Sequence, residues 1–484
     1  MNKVKALVRI SEREKDKLWS ILFKRYPNEE WGTFIRLGWM ETSQGIVLTL
    51  KSIDEPESGD LNEDTDITGI NSQYTRKAVR LSHKHEFAVG FVHSHPEGWY
   101  TIPSESDEDM EKYFSGLFGG YGKPFVSLIF SKKDKYLSAS GRLYINGNCI
   151  EIKRFFIEGE RPPTLYDFQV PQYLTQDALK RIERLSSVFS EEAAQLLAGA
   201  TVGVVGQSGT GSPLSELLCR AGVGGIIGID GDIFSESNHE RVHGSGFEDI
   251  DTDIPKVLIA KRYLTFINPN CKYVAIQGKI PQKEVMDQLL WCDIVVGATD
   301  LHSARVALSE LSFRYLVPVI DMGVLMEGSD GVIKGQAIQV NRLFPNDPCV
   351  YCRNMIDPQI AAQELMSEEE LQERQTEAKK AKEENRQPNA YWKEMPQLNT
   401  VGYLTTMAGS IVAGYVIGYL TGRFSMANNR SELSFTRKGM QVVEKNSKKD
   451  SECICTTAYG SARQEFHSLI STAPAHWPKT IFHI

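Results

Sequence analysis

Apolar and polar positions alternate with period two over residues 3–10, then shift at 11–26 to a helical stripe of Leu18, Leu22 and Phe23. Strand-like patterning returns at 31–37, and short apolar runs follow at 46–52, 87–93, 124–130 and 135–145. Residues 1–160 therefore predict one small mixed α/β domain. The prolines of "GERPPTLYDFQVPQ" break the pattern, and residues 161–175 are expected to form a linker. From Thr201 the grammar changes: "TVGVVG" reads as a buried parallel strand, "SPLSELLCRAGV" as a helix and "GGIIGID" as a second strand, with "CDIVVGATD" and "LVPVIDMG" as later ones. Such alternation predicts an α/β doubly wound sheet over 176–460. Residues 367–387 are nearly free of apolar side chains and predict a solvated helix or mobile loop. Val401–Leu420 has the length of a membrane span and no charge, but its four glycines predict a close-packed core helix. Residues 461–484 form a tail with no clear element.

At 484 residues the chain is long enough for two to four domains. Its composition, 41% hydrophobic and 24% charged, is that of a globular protein, and a net charge of −8 offers nucleic acid no electrostatic footprint. The first residues lack the apolar core of a signal peptide, so the cytoplasm is the expected compartment. There the eight cysteines stay reduced, and the close pairs Cys349/Cys352 and Cys453/Cys455 read as metal ligands rather than disulfides.

Two constellations carry chemistry. "AVGFVHSHP" ends a strand whose alternation puts His93 and His95 on one face and Ser94 on the other, so both imidazoles can meet one ion. A catalytic zinc needs a third protein ligand and keeps a position for water. If "SESDEDMEKYF" is a helix capped by Ser104, Asp107 supplies that ligand; Asp109 follows Ser106 by the same spacing and is the alternative. With "EEWG" upstream, in which Glu29 stands three residues before Gly32, the order Glu-x-x-Gly, His-x-His-Pro, Ser-x-x-Asp resembles the JAMM (JAB/MPN+) metalloproteases. Those enzymes cut ubiquitin-like proteins at the C-terminal glycine. The resemblance covers about the first 160 residues and implies zinc on His93, His95 and Asp107, Glu29 as general base and Ser104 stabilising the oxyanion. The spacer between His95 and Ser104 is one residue longer than the family pattern.

The second constellation is "VGVVGQSGTGS", a strand, a glycine-rich turn with Gly206, Gly209 and Gly211, and a helix start whose N–H groups can hold phosphates. It is followed by Asp230 and Asp232, then Asn238, Arg241, Lys256 and, after a buried strand, Asp300. This set resembles the adenylating domain of the ThiF/MoeB and ubiquitin-activating enzymes. The resemblance implies ATP as substrate, with Asp230 on the ribose, Asp232 among the nucleotide-binding residues, Asn238 orienting the phosphates, Arg241 and Lys256 neutralising their charge and Asp300 holding Mg2+. It also implies a homodimer in which Arg181 or Arg184 reaches the neighbouring site, and a structural zinc on the four cysteines, although Cys453 and Cys455 are C-x-C where the family has C-x-x-C.

Both resemblances concern the same object, the glycine-ending tail of a ubiquitin-like protein. The expected function is a bifunctional enzyme of a bacterial ubiquitin-like conjugation system, with a ubiquitin-like protein and a conjugating enzyme as partners and with neither nucleic acid nor membrane. The alternatives are maturation and activation of a sulfur carrier, and a non-catalytic scaffold. No cysteine lies in 354–398, and Cys219 and Cys292 fall in predicted core elements, so no internal thioester is expected.

Overall fold

The structure, a computed structural model, describes residues 5–24, 30–57, 59–62, 69–84, 86–134, 136–158, 171–386, 392–393, 400–436, 439–462, 474 and 476–483. The chain divides into two compact units: residues 1–172 with 314–316 and 458–463, and residues 173–313, 317–457 and 464–484. Residues 458–460, expected within the 176–460 domain, group with the first unit instead.

In the first unit the elements are β1 (Ala6–Ile10), α1 (Glu12–Trp19), β2 (Gly32–Thr42), β3 (Gly45–Asp54), β4 (Leu61–Asn62), β5 (Gly69–Ile70), α2 (Ser72–Lys84), β6 (Ala88–Ser94), α3 (Glu105–Gly119), β7 (Phe125–Lys133), β8 (Tyr136–Ile145) and β9 (Asn148–Ile157). Seven strands close a barrel in the order β1-β3-β2-β6-β7-β8-β9, with β9 pairing in parallel to β1. Closure depends on β9, which the apolar pattern does not announce because Glu151, Lys153 and Arg154 interrupt it. β6 carries the division of the core. Ala88 and Val92 face a cluster with Val8, Leu48 and Leu128, while Val89 and Phe91 face a second cluster with Tyr74 of α2 and Phe114 and Phe118 of α3. His93 continues the second face.

The second unit runs α4 (Gln176–Arg181), α5 (Glu183–Phe189), α6 (Glu191–Gly199), β10 (Thr201–Val205), α7 (Gly211–Arg220), β11 (Gly225–Ile229), α8 (Lys256–Ile267), β12 (Lys272–Gln277), α9 (Lys283–Leu289), β13 (Ile294–Gly297), α10 (His302–Tyr315), β14 (Val319–Ser329), β15 (Val332–Leu343), α11 (Pro358–Gln363), α12 (Glu368–Glu383), α13 (Gly402–Thr421), β16 (Arg430–Thr436), β17 (Gly439–Lys445), α14 (Ile454–Thr457) and β18 (Ile481–His483). These strands make one sheet, ordered β17-β16-β15-β14-β13-β10-β11-β12-β18, parallel from β14 to β12 and antiparallel at both margins. The tail is therefore not featureless: β18 pairs His483 with Ala275 of β12, and Lys261 Nζ donates to the His483 carbonyl at 2.8 Å. α13 is long and apolar enough to cross a membrane, yet Leu404, Ala408, Val412 and Val416 lie in the core with Leu214 and Leu218 of α7. A Cβ on Gly409 would stand 2.9 Å from the Thr210 carbonyl oxygen, so its glycine permits that close approach. α12 is a largely exposed helix capped by Ser367.

Candidate functional site

β6 and the residue after it deliver His93 and His95; the capped start of α3 delivers Asp107. All three are buried, and their ligand atoms lie within 4.8 Å of one another. His93 Nε2 stands 3.0 Å from Asp107 Oδ1, and His95 Nε2 is 3.5 Å from Asp107 Oδ2. Neither ring nitrogen of His93, nor Nε2 of His95, makes an aligned hydrogen bond among the described residues. Three buried donors at near-contact distance but out of hydrogen-bond alignment fit a shared metal, since tetrahedral zinc with ligands at ~2.0–2.1 Å spaces them by about 3.4 Å. His95 Nδ1 lies 2.8 Å from the Tyr100 carbonyl, so Nδ1 carries the proton and Nε2 is left with its lone pair toward the site. Burial alone would raise the Asp107 carboxyl, but the two imidazoles beside it and the hydrogen bond from the Ser104 N–H hold it far below the usual carboxylate range.

The alternative ligand Asp109 is exposed and pairs with Lys112 at 3.3 Å, away from the histidines. Ser104 is the N-cap of α3: its hydroxyl donates to Asp107 Oδ2 at 2.8 Å and accepts the Asp107 N–H at 3.2 Å. That hydroxyl, expected to face an oxyanion, is bonded to Asp107 in this structure. Glu29 lies outside the described residues. Glu30, its neighbour, is 3.9 Å from His95 Nε2 and lines the adjoining cleft, and burial pushes its carboxyl up against the opposing pull of the histidines. The sequence reading passed over Glu30; the only signal was the doubled glutamate of "EEWG".

In the second unit a cleft of about 890 Å³ opens at the carboxyl ends of the parallel strands. Gly206 leaves β10 at φ +98°, and a Cβ there would sit 2.3 Å from the Ala298 carbonyl oxygen. A Cβ on Gly211 would sit 1.8 Å from the Gly206 oxygen, so the loop and α7 pack only with glycine at both places. Gly209 faces Arg241 and Thr405 across the cleft, and α7 starts without a side-chain cap; the Ser212 N–H is taken by the Ser208 carbonyl and Pro213 has none, which leaves the Thr210 and Gly211 N–H groups for an anion.

Asp230, Asp232, Asn238, Arg241, Lys256 and Asp300 all line this cleft. Asp230 is buried, with Oδ2 accepting the Gln207 N–H at 2.8 Å and Oδ1 the Asp232 N–H at 2.9 Å, so it braces the glycine loop against the D-x-D turn. Burial raises its carboxyl. Asp232 is the open carboxylate, 3.1 Å from Lys256 Nζ and 3.9 Å from Lys279 Nζ. Asn238 Oδ1 caps the Ser235 N–H at 3.2 Å, and Arg241 Nη1 donates to the Ser237 carbonyl at 3.2 Å. Asp300 is exposed in the cleft and has no ion pair among the described residues. Lys279 and Arg305, which also line it, were not found from the sequence. Arg181 and Arg184 are exposed and line no part of the cleft.

Cys349, Cys352, Cys453 and Cys455 converge, with Sγ–Sγ separations of 3.7 Å (349–352), 3.4 Å (349–453) and 3.7 Å (352–455). Four thiolates on tetrahedral zinc at ~2.3 Å have edges of about 3.8 Å, so the C-x-C pair closes the cluster as well as C-x-x-C would. The hydrogen bond from Cys349 pulls the Cys455 thiol down to about 5, toward the thiolate a metal requires.

The profile of the ThiF family matches residues 180–455. The SAMP-activating enzyme E1 of Haloferax volcanii is 28% identical over 170 residues, 35% of this chain and 58% of that protein. Molybdopterin-synthase adenylyltransferase of Escherichia coli K12 is 29% identical over 167 residues, 34% of this chain and 62% of that protein. The matches thus span less than two thirds of these relatives. Among solved structures, that of E. coli MccB is similar with a TM-score of 0.44 and 17% identity, covering 59% of this chain and 75% of that one.

Proposed function

Because this chain belongs to the ThiF family, we propose that its second unit adenylates the C-terminal carboxylate of a ubiquitin-like or sulfur-carrier protein. The observation that carries this reading is one cleft that gathers an uncapped helix start, the cations Arg241 and Lys256 and the carboxylate of Asp300, which has no ion pair among the described residues. A carboxylate oxygen of the carrier attacks the α-phosphorus of ATP, and the bond to the β-phosphate oxygen breaks, releasing pyrophosphate. The N–H groups at the start of α7 hold phosphate oxygens, Arg241 and Lys256 offset the charge that develops, and Asp300 would hold Mg2+ on the leaving pyrophosphate. Asp232, rather than the braced Asp230, presents the open carboxylate for the ribose hydroxyls. ATP–pyrophosphate exchange dependent on a glycine-ending carrier tests this. Asp300→Ala should abolish exchange, and exchange at the wild-type rate in that variant refutes the assignment.

The first unit is read as a zinc hydrolase acting on the same tail, supported by the orphaned imidazole nitrogens beside Asp107. His93, His95 and Asp107 would hold zinc, which when bound lowers the pKa of its water to about 7. The base is one of the paired glutamates, Glu29 or Glu30, and the second of these already stands beside His95. Zinc analysis of the whole chain decides: His95→Ala should lose one of two zinc ions and all cleavage, whereas retained zinc content sinks the ligand set. The four cysteines hold the other ion. The reading extends to a cytoplasmic homodimer that delivers the activated tail to a conjugating enzyme. Activation of a sulfur carrier is the second reading, supported by the likeness to molybdopterin-synthase adenylyltransferase. A thiocarboxylate product would favour the second reading, and an amide-linked conjugate the first.

A further inference from the structure

The cleft that adjoins His93 and Asp107 holds about 650 Å³, in the range of sites that take a ligand of several residues. Its apolar lining begins at the histidines themselves: Phe91, two residues before His93 on the same face of β6, stacks against that imidazole at 6.1 Å. From there it runs along Val79 of α2 and Met110, Phe114 and Leu117 of α3. Arg76 and Arg80 of α2 also line it. Arg76 is tied back to Ser72 through its Nε and Nη2, at 3.2 and 3.0 Å, while Arg80 is exposed and has no ion pair among the described residues.

A glycine on the acyl side of the scissile bond has no side chain to fill this volume. The residue beside the metal ligands on the other side of the bond must do so. We propose that this cleft binds the segment following the glycine, with a bulky apolar first residue and a carboxylate within reach of Arg80, so that the unit matures a linear precursor rather than releasing a lysine-linked conjugate. An isopeptide-linked lysine would bring only a thin methylene stem into a wide apolar space, and its neutral amide nitrogen offers Arg80 no charge to pair with. The proposal rests on the zinc-hydrolase reading. Water adds to the glycine carbonyl, the C–N bond breaks, and the departing amine takes the proton. The freed glycine carboxylate is the group that an adenylating activity consumes, so the two proposed reactions run in that order.

Fluorescein-labelled synthetic peptides test the assignment by anisotropy on the full zinc-loaded chain. The probes carry Gly-Gly followed by Phe-Asp, Ala-Asp or Phe-Lys, or Gly-Gly joined to a lysine side chain. The Phe-Asp peptide should bind about ten- to a hundredfold more tightly than Ala-Asp, since the difference is one buried aromatic ring. Arg80→Glu, at an exposed position, should weaken Phe-Asp by about fivefold and strengthen Phe-Lys. Equal affinity for all four peptides, or no response of Phe-Asp to Arg80→Glu, overturns the proposal. Cleavage is followed separately. Binding in the expected order without cleavage of any peptide refutes the hydrolase reading and leaves the ligand assigned; cleavage without that order refutes the assignment and spares the reading.

Discussion

Glu111 lies one turn beyond Asp107 on α3, and Glu111→Gln tests whether the helix is held in register by a single buried carboxylate. Its Oε1 accepts from Ser127 Oγ at 2.6 Å and from Arg142 Nη2, and its Oε2 accepts from Arg142 Nε and the Tyr144 hydroxyl, each at 2.6 Å. The side chain is 1% exposed and that of Arg142 17%. Four donors use all the lone-pair sites of a carboxylate. Burial, reinforced by Glu111, pushes the Tyr144 hydroxyl far up, so it remains a donor. Glutamine keeps one acceptor oxygen and turns an NH2 group toward the guanidinium, which cannot accept. Breaking a buried pair by removing one charge costs about 3–5 kcal/mol, and the partial exposure of Arg142 places this case near about 3 kcal/mol. In hydrogen exchange on the full chain, amides of α3, β7 and β8 whose exchange requires this region to open should exchange about a hundredfold faster, as about 3 kcal/mol implies. Because β7 pairs with β6, Ser127 opposite Phe91 and Ile129 opposite His93, the same loosening shifts Asp107 relative to both histidines. Zinc affinity of the barrel site should fall about ten- to a hundredfold. Glu108→Gln is the control: Glu108 is exposed and only 4.0 Å from Lys112, a contact worth under about 0.5 kcal/mol. Exchange in α3 within threefold of wild type for Glu111→Gln refutes the clamp.

Replacing Cys455 by serine should remove one zinc per chain, lower thermal stability and leave the zinc of the barrel site in place, which metal analysis and calorimetry check; unchanged zinc content refutes the tetrad. Asp249 accepts both Arg262 nitrogens at 2.7 Å and the Gly246 N–H at 2.8 Å, and the Arg262 bonds, outweighing burial, hold its carboxyl below the usual carboxylate range. Its contribution to stability is therefore full above the unfolded value of about 4 and is lost as pH falls through the lower folded value. Asp249→Asn should flatten that acid limb of the urea midpoint, and an unchanged limb refutes the pairing. With Cys219, Cys271 and Cys292 buried, four cysteines in the tetrad, and the exposed Cys149 on β9 of the first unit rather than in the adenylating unit, incubation with ATP and carrier should give no thiol-sensitive adduct on a non-reducing gel. An adduct lost in Cys352→Ala would overturn both this expectation and the zinc cluster.

What could be read from the sequence was what one element holds on its own. Period two carried Val89, Phe91 and His93 onto one face of β6, and three-residue spacing put Asp107 under the Ser104 cap, so the meeting of both histidines with the start of α3 needed no knowledge of the fold, whereas the choice between Asp107 and Asp109 did. The glycine loop was legible for the same reason, since the turn that demands Gly206 and Gly211 lies within six residues. Residues supplied by topology were not. Lys279 follows β12 and Arg305 lies on α10, and they meet the glycine loop only because parallel strands bring their carboxyl ends together. Side chains with two available partners were not separable as text. Asp230 and Asp232 both line the cleft, but burial sets Asp230 to accept the N–H groups of Gln207 and Asp232, while the exposed Asp232 carboxylate faces Lys256. The same physics separates Asp107 from Asp109: near-adjacent carboxylates are equivalent as text, but Asp107 is buried beside the imidazoles while Asp109 stays exposed with Lys112.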